Sequence, residues 1–133
     1  MTTFESAVKT VNYSDKTIFQ FLTNFKNYEN LLPADKITHF SATETSFGFS
    51  IKPLGRFLLQ IVGKEEFKTI KMQGEAKVNF DLVVDLVPFT EEITKLKVTI
   101  NADLNPFEKM IAAKPIQSLV DSIADQATQI KIA

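Results

Sequence analysis

From Ile37 to Leu104 apolar and polar residues alternate almost without a break, the period of two that turns one side of each strand inward and the other to water. Turn chemistry divides this stretch into strands. Ile37 to Ala42 is the first, and Thr43-Glu44-Thr45-Ser46 makes a polar turn. Phe47, Phe49 and Ile51 share one face of the second strand, and Lys52-Pro53-Leu54-Gly55 reverses the chain again. Arg56 to Lys64 follows, with Phe57, Leu59 and Ile61 on one face, Leu58 and Val62 on the other, and Gly63 marking a bulge or bend. Breaks are expected at Glu65-Glu66 and at Gly74-Glu75, on either side of a strand from Phe67 to Gln73. Phe80, Leu82, Val84 and Leu86 then alternate with Asp81, Val83, Asp85 and Val87. Pro88 to Glu92 turns into the last strand, where Leu96, Val98, Ile100, Ala102 and Leu104 oppose Lys95, Lys97, Thr99, Asn101 and Asp103.

The flanking segments carry other periods. Phe4 to Val11 reads as one β-branched strand, closed by Asn12-Tyr13-Ser14. Ser14 is placed to cap a helix with Asp15 in its first turn, and Ile18, Phe21, Leu22 and Phe25 recur at helical spacing. A second short helix is expected from Asn27, with Tyr28, Leu31 and Leu32 on one side and Pro33 as its stop. After the last strand, Asn105 is the cap and Pro106 the first residue of a long helix, where a missing N–H loses nothing. About 25 residues at about 1.5 Å each span about 38 Å, the width of a small domain, so the sheet must wrap around this helix. Phe107, Met110, Ile111, Ile116, Leu119, Val120, Ile123, Ala127 and Ile130 form the expected inward stripe, while Lys109, Gln117, Asp121, Ser122, Asp125 and Gln129 face out. Pro115 lies within the run and removes one backbone hydrogen bond. Two readings of it stay open: a bend that follows a curved sheet, or a bend that opens space between the first half of the helix and the sheet for a ligand.

Composition narrows the possibilities. The 133 residues fit one domain, 1–133, large enough to bury a core. A net charge of -1 with interspersed charges leaves no basic stripe for a nucleic acid. The absence of cysteine removes disulfides, thiolate metal sites and cysteine nucleophiles together. No segment approaches the continuous apolar length of a membrane span, and Met1-Thr2-Thr3-Phe4-Glu5 has no basic region followed by an apolar run. A cytoplasmic protein without stable membrane insertion is the expectation.

Strand, two short helices, a six-stranded meander and a long last helix together resemble the helix-grip fold of the START-like, Bet v 1-like superfamily, also called SRPBCC or polyketide cyclase/dehydrase-like proteins. The most specific pieces are Val11-Asn12-Tyr13-Ser14 leading into Ile18-Phe19-Gln20-Phe21-Leu22 and Phe25-Lys26-Asn27-Tyr28-Glu29. Asn105-Pro106-Phe107-Glu108-Lys109-Met110, with Lys114-Pro115-Ile116 following, is the other. The resemblance covers essentially the whole chain and implies an α+β fold, a seven-stranded curved antiparallel sheet gripping the last helix. It further implies a cavity between sheet and helix of the kind that binds lipids, sterols, quinones, isoprenoids or polyketides. Expected lining residues are Phe47, Phe49, Phe57, Leu59, Leu82, Val84, Val98 and Ile100 from the sheet. From the helix they are Phe107, Met110, Ile111, Ile116, Leu119, Val120 and Ile123.

Candidate chemistry is sparse beside this apolar set. His39, the single histidine, alternates with Thr38 and Phe40 and reads as a surface or structural residue, and one histidine cannot build a two-histidine iron site. Asp81 and Asp85 share a face, turned to solvent if Phe80 and Leu82 face the core, and paired inside a pocket if the register is reversed. Gly48, Gly55, Gly63 and Gly74 lack the spacing of a phosphate-binding loop. No catalytic, metal or cofactor motif emerges. The leading expectation is a binding or carrier protein for a hydrophobic small molecule, without catalytic residues or cofactor. A cyclase- or dehydratase-type enzyme with ionisable groups in the cavity is one alternative, and a protein-interaction module with a filled core and an unidentified protein partner is the other.

Overall fold

A computed structural model describes residues 2–52, 54–75 and 79–132, with Glu75 described by its backbone alone. Eight strands form a single antiparallel sheet: β1 (Thr2–Glu5), β2 (Lys9–Val11), β3 (Ile37–Ala42), β4 (Ser46–Ile51), β5 (Gly55–Glu65), β6 (Thr69–Glu75), β7 (Asn79–Thr90) and β8 (Ile93–Ala102). Their order across the sheet is β1-β8-β7-β6-β5-β4-β3, and β2 also pairs with β8. Helix α1 (Asp15–Thr23) and a 3₁₀ helix (Phe25–Asn30) follow β2, and α2 (Pro106–Ala127) closes the fold. This is the α+β helix-grip arrangement that the resemblance implies.

The single strand expected from Phe4 to Val11 is two strands, which makes eight where seven are expected, and the break falls at Ser6. Its backbone N–H donates to the Val98 carbonyl at 2.9 Å, and its Oγ accepts from the Val98 N–H at 2.9 Å. A buried side chain thus takes over a ladder position that backbone would otherwise fill, and Phe4 to Val11 breaks into β1 and β2. Other boundaries also move. Gly74 and Glu75 continue β6 instead of ending it, and β7 runs on through Pro88 to Thr90. Phe67 lies in the turn before β6 at φ 63, so that strand begins at Thr69. Gly63 stands at the expected irregularity, where the β5–β6 register shifts. The Lys52–Gly55 turn includes Pro53, which lies outside the described residues.

Local chemistry explains the helices. Ser14 Oγ accepts from the Thr17 N–H at 3.2 Å, and α1 buries Ile18, Phe19 and Leu22, with Phe21 only partly covered. Asn24 accepts from the Lys26 N–H and starts the 3₁₀ turn two residues earlier than the expected Asn27. At the head of α2, Asn105 Oδ1 accepts from the Glu108 N–H at 2.8 Å, and Glu108 Oε1 accepts from the Asn105 N–H at 3.0 Å. That reciprocal box, with Pro106 behind the cap, fixes where the helix begins.

The core is a continuous aromatic cluster under the grip. Tyr28 stacks on Phe47 at 4.7 Å between ring centres, and Phe25 meets both rings edge-on. Phe47, Phe49, Phe57 and Phe80 continue the series across β4, β5 and β7. Such pairs add roughly 0.5–1.5 kcal/mol each beyond the burial of their area. Gly74 belongs to this cluster, because the Phe80 ring covers it and a β-carbon there would lie 1.9 Å from Phe80 Cζ.

Only part of α2 is gripped. Ala112, Ile116, Leu119, Val120, Ile123, Ala124 and Ala127 are buried. Phe107, Met110 and Ile111 are not: they are 69%, 83% and 41% exposed, which corrects the expected inward stripe. At 100° per residue those side chains point away from the Ala112–Ile116–Ile123 face, so their hydrophobicity follows chain order but not the helix face. Polar contacts lock the second half in place: Gln117 Nε2 donates to the Glu5 carbonyl at 2.9 Å, and Ser122 Oγ to the Leu31 carbonyl at 2.8 Å. Lys9 on β2 pairs with Asp125 at 2.8 Å, and the hydrogen bond to that carboxylate holds the lysine pKa above its ordinary value.

Candidate functional site

Beside the middle of α2, at Pro115, the surface opens into a cleft of about 800 Å³. One wall is Lys114, Pro115 and Ser118 of the helix, and the other is Ser50, Ile51 and Lys52 at the end of β4 with Gly55 opening β5. Asp35, Lys36, Thr38 and His39 close the third side. Pro115 has no N–H to give the Ile111 carbonyl, which loosens the helix at this level. Ile51 is the last of the inward row Phe47, Phe49 and Ile51, so the cleft opens at the end of the aromatic cluster. The walls are largely apolar despite their polar sequence, since lysine stems offer methylenes while their ammonium groups stay in water.

The β3 side of the cleft is held in an unusual shape. The β3–β4 register shifts between Thr38 and Ser41, and His39 takes φ 55, a left-handed conformation uncommon outside glycine. Arg56, the single arginine of the chain, holds this bulge from two strands away. Its Nη1 donates to the His39 carbonyl, and its Nη2 donates to Ser41 Oγ at 3.0 Å. The guanidinium crosses β4 over Gly48, where a β-carbon would stand 2.7 Å from Nη2. The His39 ring lies against Thr38, with Nδ1 3.1 Å from Oγ1. The bulge therefore gives His39 a structural setting on the surface, as its sequence context implies.

Charge is distributed unevenly around the opening. Lys36, Lys52 and Lys114 stand on the rim, with Asp35 as the acidic member of the lining. Lys36 Nζ donates to Ser118 Oγ at 3.1 Å, tying the approach to β3 to the helix. Among the described residues Lys52 and Lys114 enter no ion pair.

Inside the aromatic core one polar atom lacks a partner. The Tyr28 hydroxyl is fully buried and without a hydrogen bond among the described residues, and burial pushes its pKa well above the usual phenol range. The other buried polar side chains are satisfied: Ser6 by Val98, and Thr94 by the Tyr13 carbonyl at 2.8 Å.

The sequence-expected lining residues divide in two. Phe47, Phe49, Phe57, Leu59, Leu82, Val84, Val98, Ile100, Ile116, Leu119, Val120 and Ile123 all lie buried in one cluster. Phe107, Met110 and Ile111 stand outside it. Periodicity misses the rim lysines, Ser118 and the orphan Tyr28 hydroxyl, because a period reports faces and not which loops meet in space. The one signal in the sequence is Pro115.

The outer face of the sheet carries a second, smaller depression of about 520 Å³. Gln60, Gln73, Asp81 and Asn101 align there across β5 to β8. Asp81 and Asp85 are thus on the solvent side, opposite Phe80, Leu82, Val84 and Leu86, and Asp85 accepts from Thr69 Oγ1 at 3.3 Å. Among the described residues no group of three or more His, Cys, Asp or Glu side chains converges as a metal site would require, and no helix is long and apolar enough to cross a membrane.

No protein-family model and no curated protein sequence matches the chain. Solved structures do. A START superfamily protein from Mycobacterium smegmatis superposes with a TM-score of 0.65 at 15% identity, covering 97% of this chain and 99% of its own. A conserved protein from Geobacillus kaustophilus gives a TM-score of 0.71 at 12% identity over 96% and 93% of the two chains. Norcoclaurine synthase from Thalictrum flavum, solved in complex with dopamine and hydroxybenzaldehyde, gives 0.68 at 14% identity over 99% and 89%. At such identities the likeness is one of fold and not of activity. With its sheet order, gripped second helix and whole-chain superpositions, the protein has the START/Bet v 1-like helix-grip fold.

Proposed function

We propose that this protein binds or carries a hydrophobic small molecule, taken up between α2 and the sheet at the Pro115 cleft. The observation that carries this reading is the cleft itself: about 800 Å³, largely apolar, and opening at the Ile51 end of the aromatic cluster. That volume lies within the roughly 300–1,000 Å³ of small-molecule sites. Ile51 and Pro115 supply apolar side chains to the lining, and the buried Phe49 lies next inward from Ile51 on β4. Two further features support it. The first half of α2 has few buried side chains to hold it down, so it can yield to a ligand without dismantling the core. The orphan Tyr28 hydroxyl offers a donor to a guest that reaches the aromatic rings.

A cyclase or dehydratase needs two ionisable groups converging on the ligand. The ionisable groups of the cleft, Asp35, Lys36, His39, Lys52 and Lys114, are all exposed at its edge, while the buried polar side chains described above are hydroxyls, those of Ser6 and Thr94 already engaged with backbone. The carrier reading is therefore preferred. Native mass spectrometry of purified protein, with organic extraction of what co-purifies, is the test. An apolar ligand released at about one per chain is the expected result. A chain that neither retains nor takes up any lipid, isoprenoid or quinone from a mixed extract overturns the reading.

A further inference from the structure

We infer that the ligand is an amphipathic anion, its apolar body in the Pro115 cleft and its carboxylate or phosphate held at the rim by Lys36, Lys52 and Lys114. This rests on the carrier reading and adds the head-group chemistry. The chain as a whole carries 15 basic and 16 acidic side chains, so a rim with three lysines and Asp35 departs from its average. These lysines come from three separate segments: the approach to β3, the end of β4, and the middle of α2. Folding brings them around one opening that sequence neighbours do not share.

Their chemistry suits a single anionic group. Lys36 uses one donor on Ser118 Oγ, which fixes its ammonium at the mouth and leaves further N–H groups for a ligand. Lys52 and Lys114 are in no ion pair among the described residues, so no protein carboxylate competes for them through a salt bridge. A concave site with apolar walls also focuses the field of its charges. Exposed lysines hold a free ion only weakly, so head group and apolar body must act together. A neutral sterol or hydrocarbon would leave the lysines unused, and a bare anion would leave the apolar walls wet.

Fluorescence titration with 11-(dansylamino)undecanoic acid and with its methyl ester separates head from chain. The acid should bind at least about tenfold more tightly than the ester, the scale of one to two hydrogen bonds to a charged group. The exposed substitutions Lys52→Gln and Lys114→Gln together should abolish that preference, bringing the affinity for the acid down to that for the ester, with circular dichroism confirming the fold. Acetate or inorganic phosphate alone should not displace the acid at equal concentration. Equal affinity for acid and ester, a preference surviving the double substitution, or displacement by the bare anions overturns the head-group inference and leaves the carrier reading standing. Failure of both acid and ester to bind, with lipid still co-purifying, also overturns the inference alone. Failure of both with nothing co-purifying overturns the two together.

Discussion

Gly74 and Tyr28 show how far single residues are committed to a filled aromatic interior. A β-carbon at Gly74 would lie 1.9 Å from the Phe80 ring, in a core with no slack to absorb it. Gly74→Ala should lower stability by about 1–3 kcal/mol, read as a shift in the urea midpoint at constant slope; an unchanged midpoint would mean the ring is free to move. At Tyr28 the buried hydroxyl lacks a partner, so Tyr28→Phe should leave the unliganded protein unchanged or more stable by about 1 kcal/mol. The pH dependence follows from the raised folded-state pKa. Below the unfolded phenol value of about 10 both states are protonated and stability is unaffected. Above it the unfolded chain binds fewer protons, so stability falls as pH rises, by up to about 1.4 kcal/mol per unit. Urea titrations from pH 9 to about 11.5 should show that slope reduced in Tyr28→Phe, and identical slopes would place the hydroxyl in contact with solvent. Neither residue is legible as special from sequence: Gly74 reads as a turn signal and Tyr28 as one helical apolar position. Both depend on neighbours from other strands.

At the scale of elements, the alternating pattern is legible because the long strands such as β7 and β8 have one wet face and one packed face. Ends are less so. Pro88 reads as a stop, yet β7 continues through it, and Ser6 reads as an ordinary strand residue while its side chain takes a ladder bond. Helix α2 shows the same division. Its capping box and Pro106 mark its start plainly, but Phe107 and Met110 lie on the side opposite the buried Ala112–Ile116–Ile123 face and stand in solvent. If Pro115 keeps this half of the helix loose for a ligand, Pro115→Ala should act in opposite directions on stability and binding. Restoring the N–H and removing the ring clash should raise stability by up to about 3 kcal/mol, seen as a higher melting temperature. Affinity for 11-(dansylamino)undecanoic acid should fall several-fold as the cleft tightens. A variant that binds as well as the parent would reduce the proline to following the sheet's curvature.

Taken whole, the molecule has an interior that sequence locates but does not resolve. Which residues are apolar and buried follows from periodicity, and most of the expected lining lies in the core. Whether that core encloses or merely borders a ligand site depends on how the rings fit together, and the Tyr28–Phe47–Phe49–Phe57–Phe80 series fills much of the space beneath the grip. The cleft at Pro115 arises where α2, the β4–β5 turn and the approach to β3 meet, a juxtaposition that no local pattern encodes. Ligand uptake at this cleft is tested most sharply by a ¹H–¹⁵N NMR titration of the labelled protein with 11-(dansylamino)undecanoic acid. Saturable shifts should concentrate at Ile51, Lys52, Gly55, Lys114 and Ser118 and extend inward to Phe49 and Tyr28, with Gln60, Gln73 and Asn101 on the outer face unmoved. Shifts confined to that outer face, or none at saturating probe, would rule out the Pro115 cleft as the binding site.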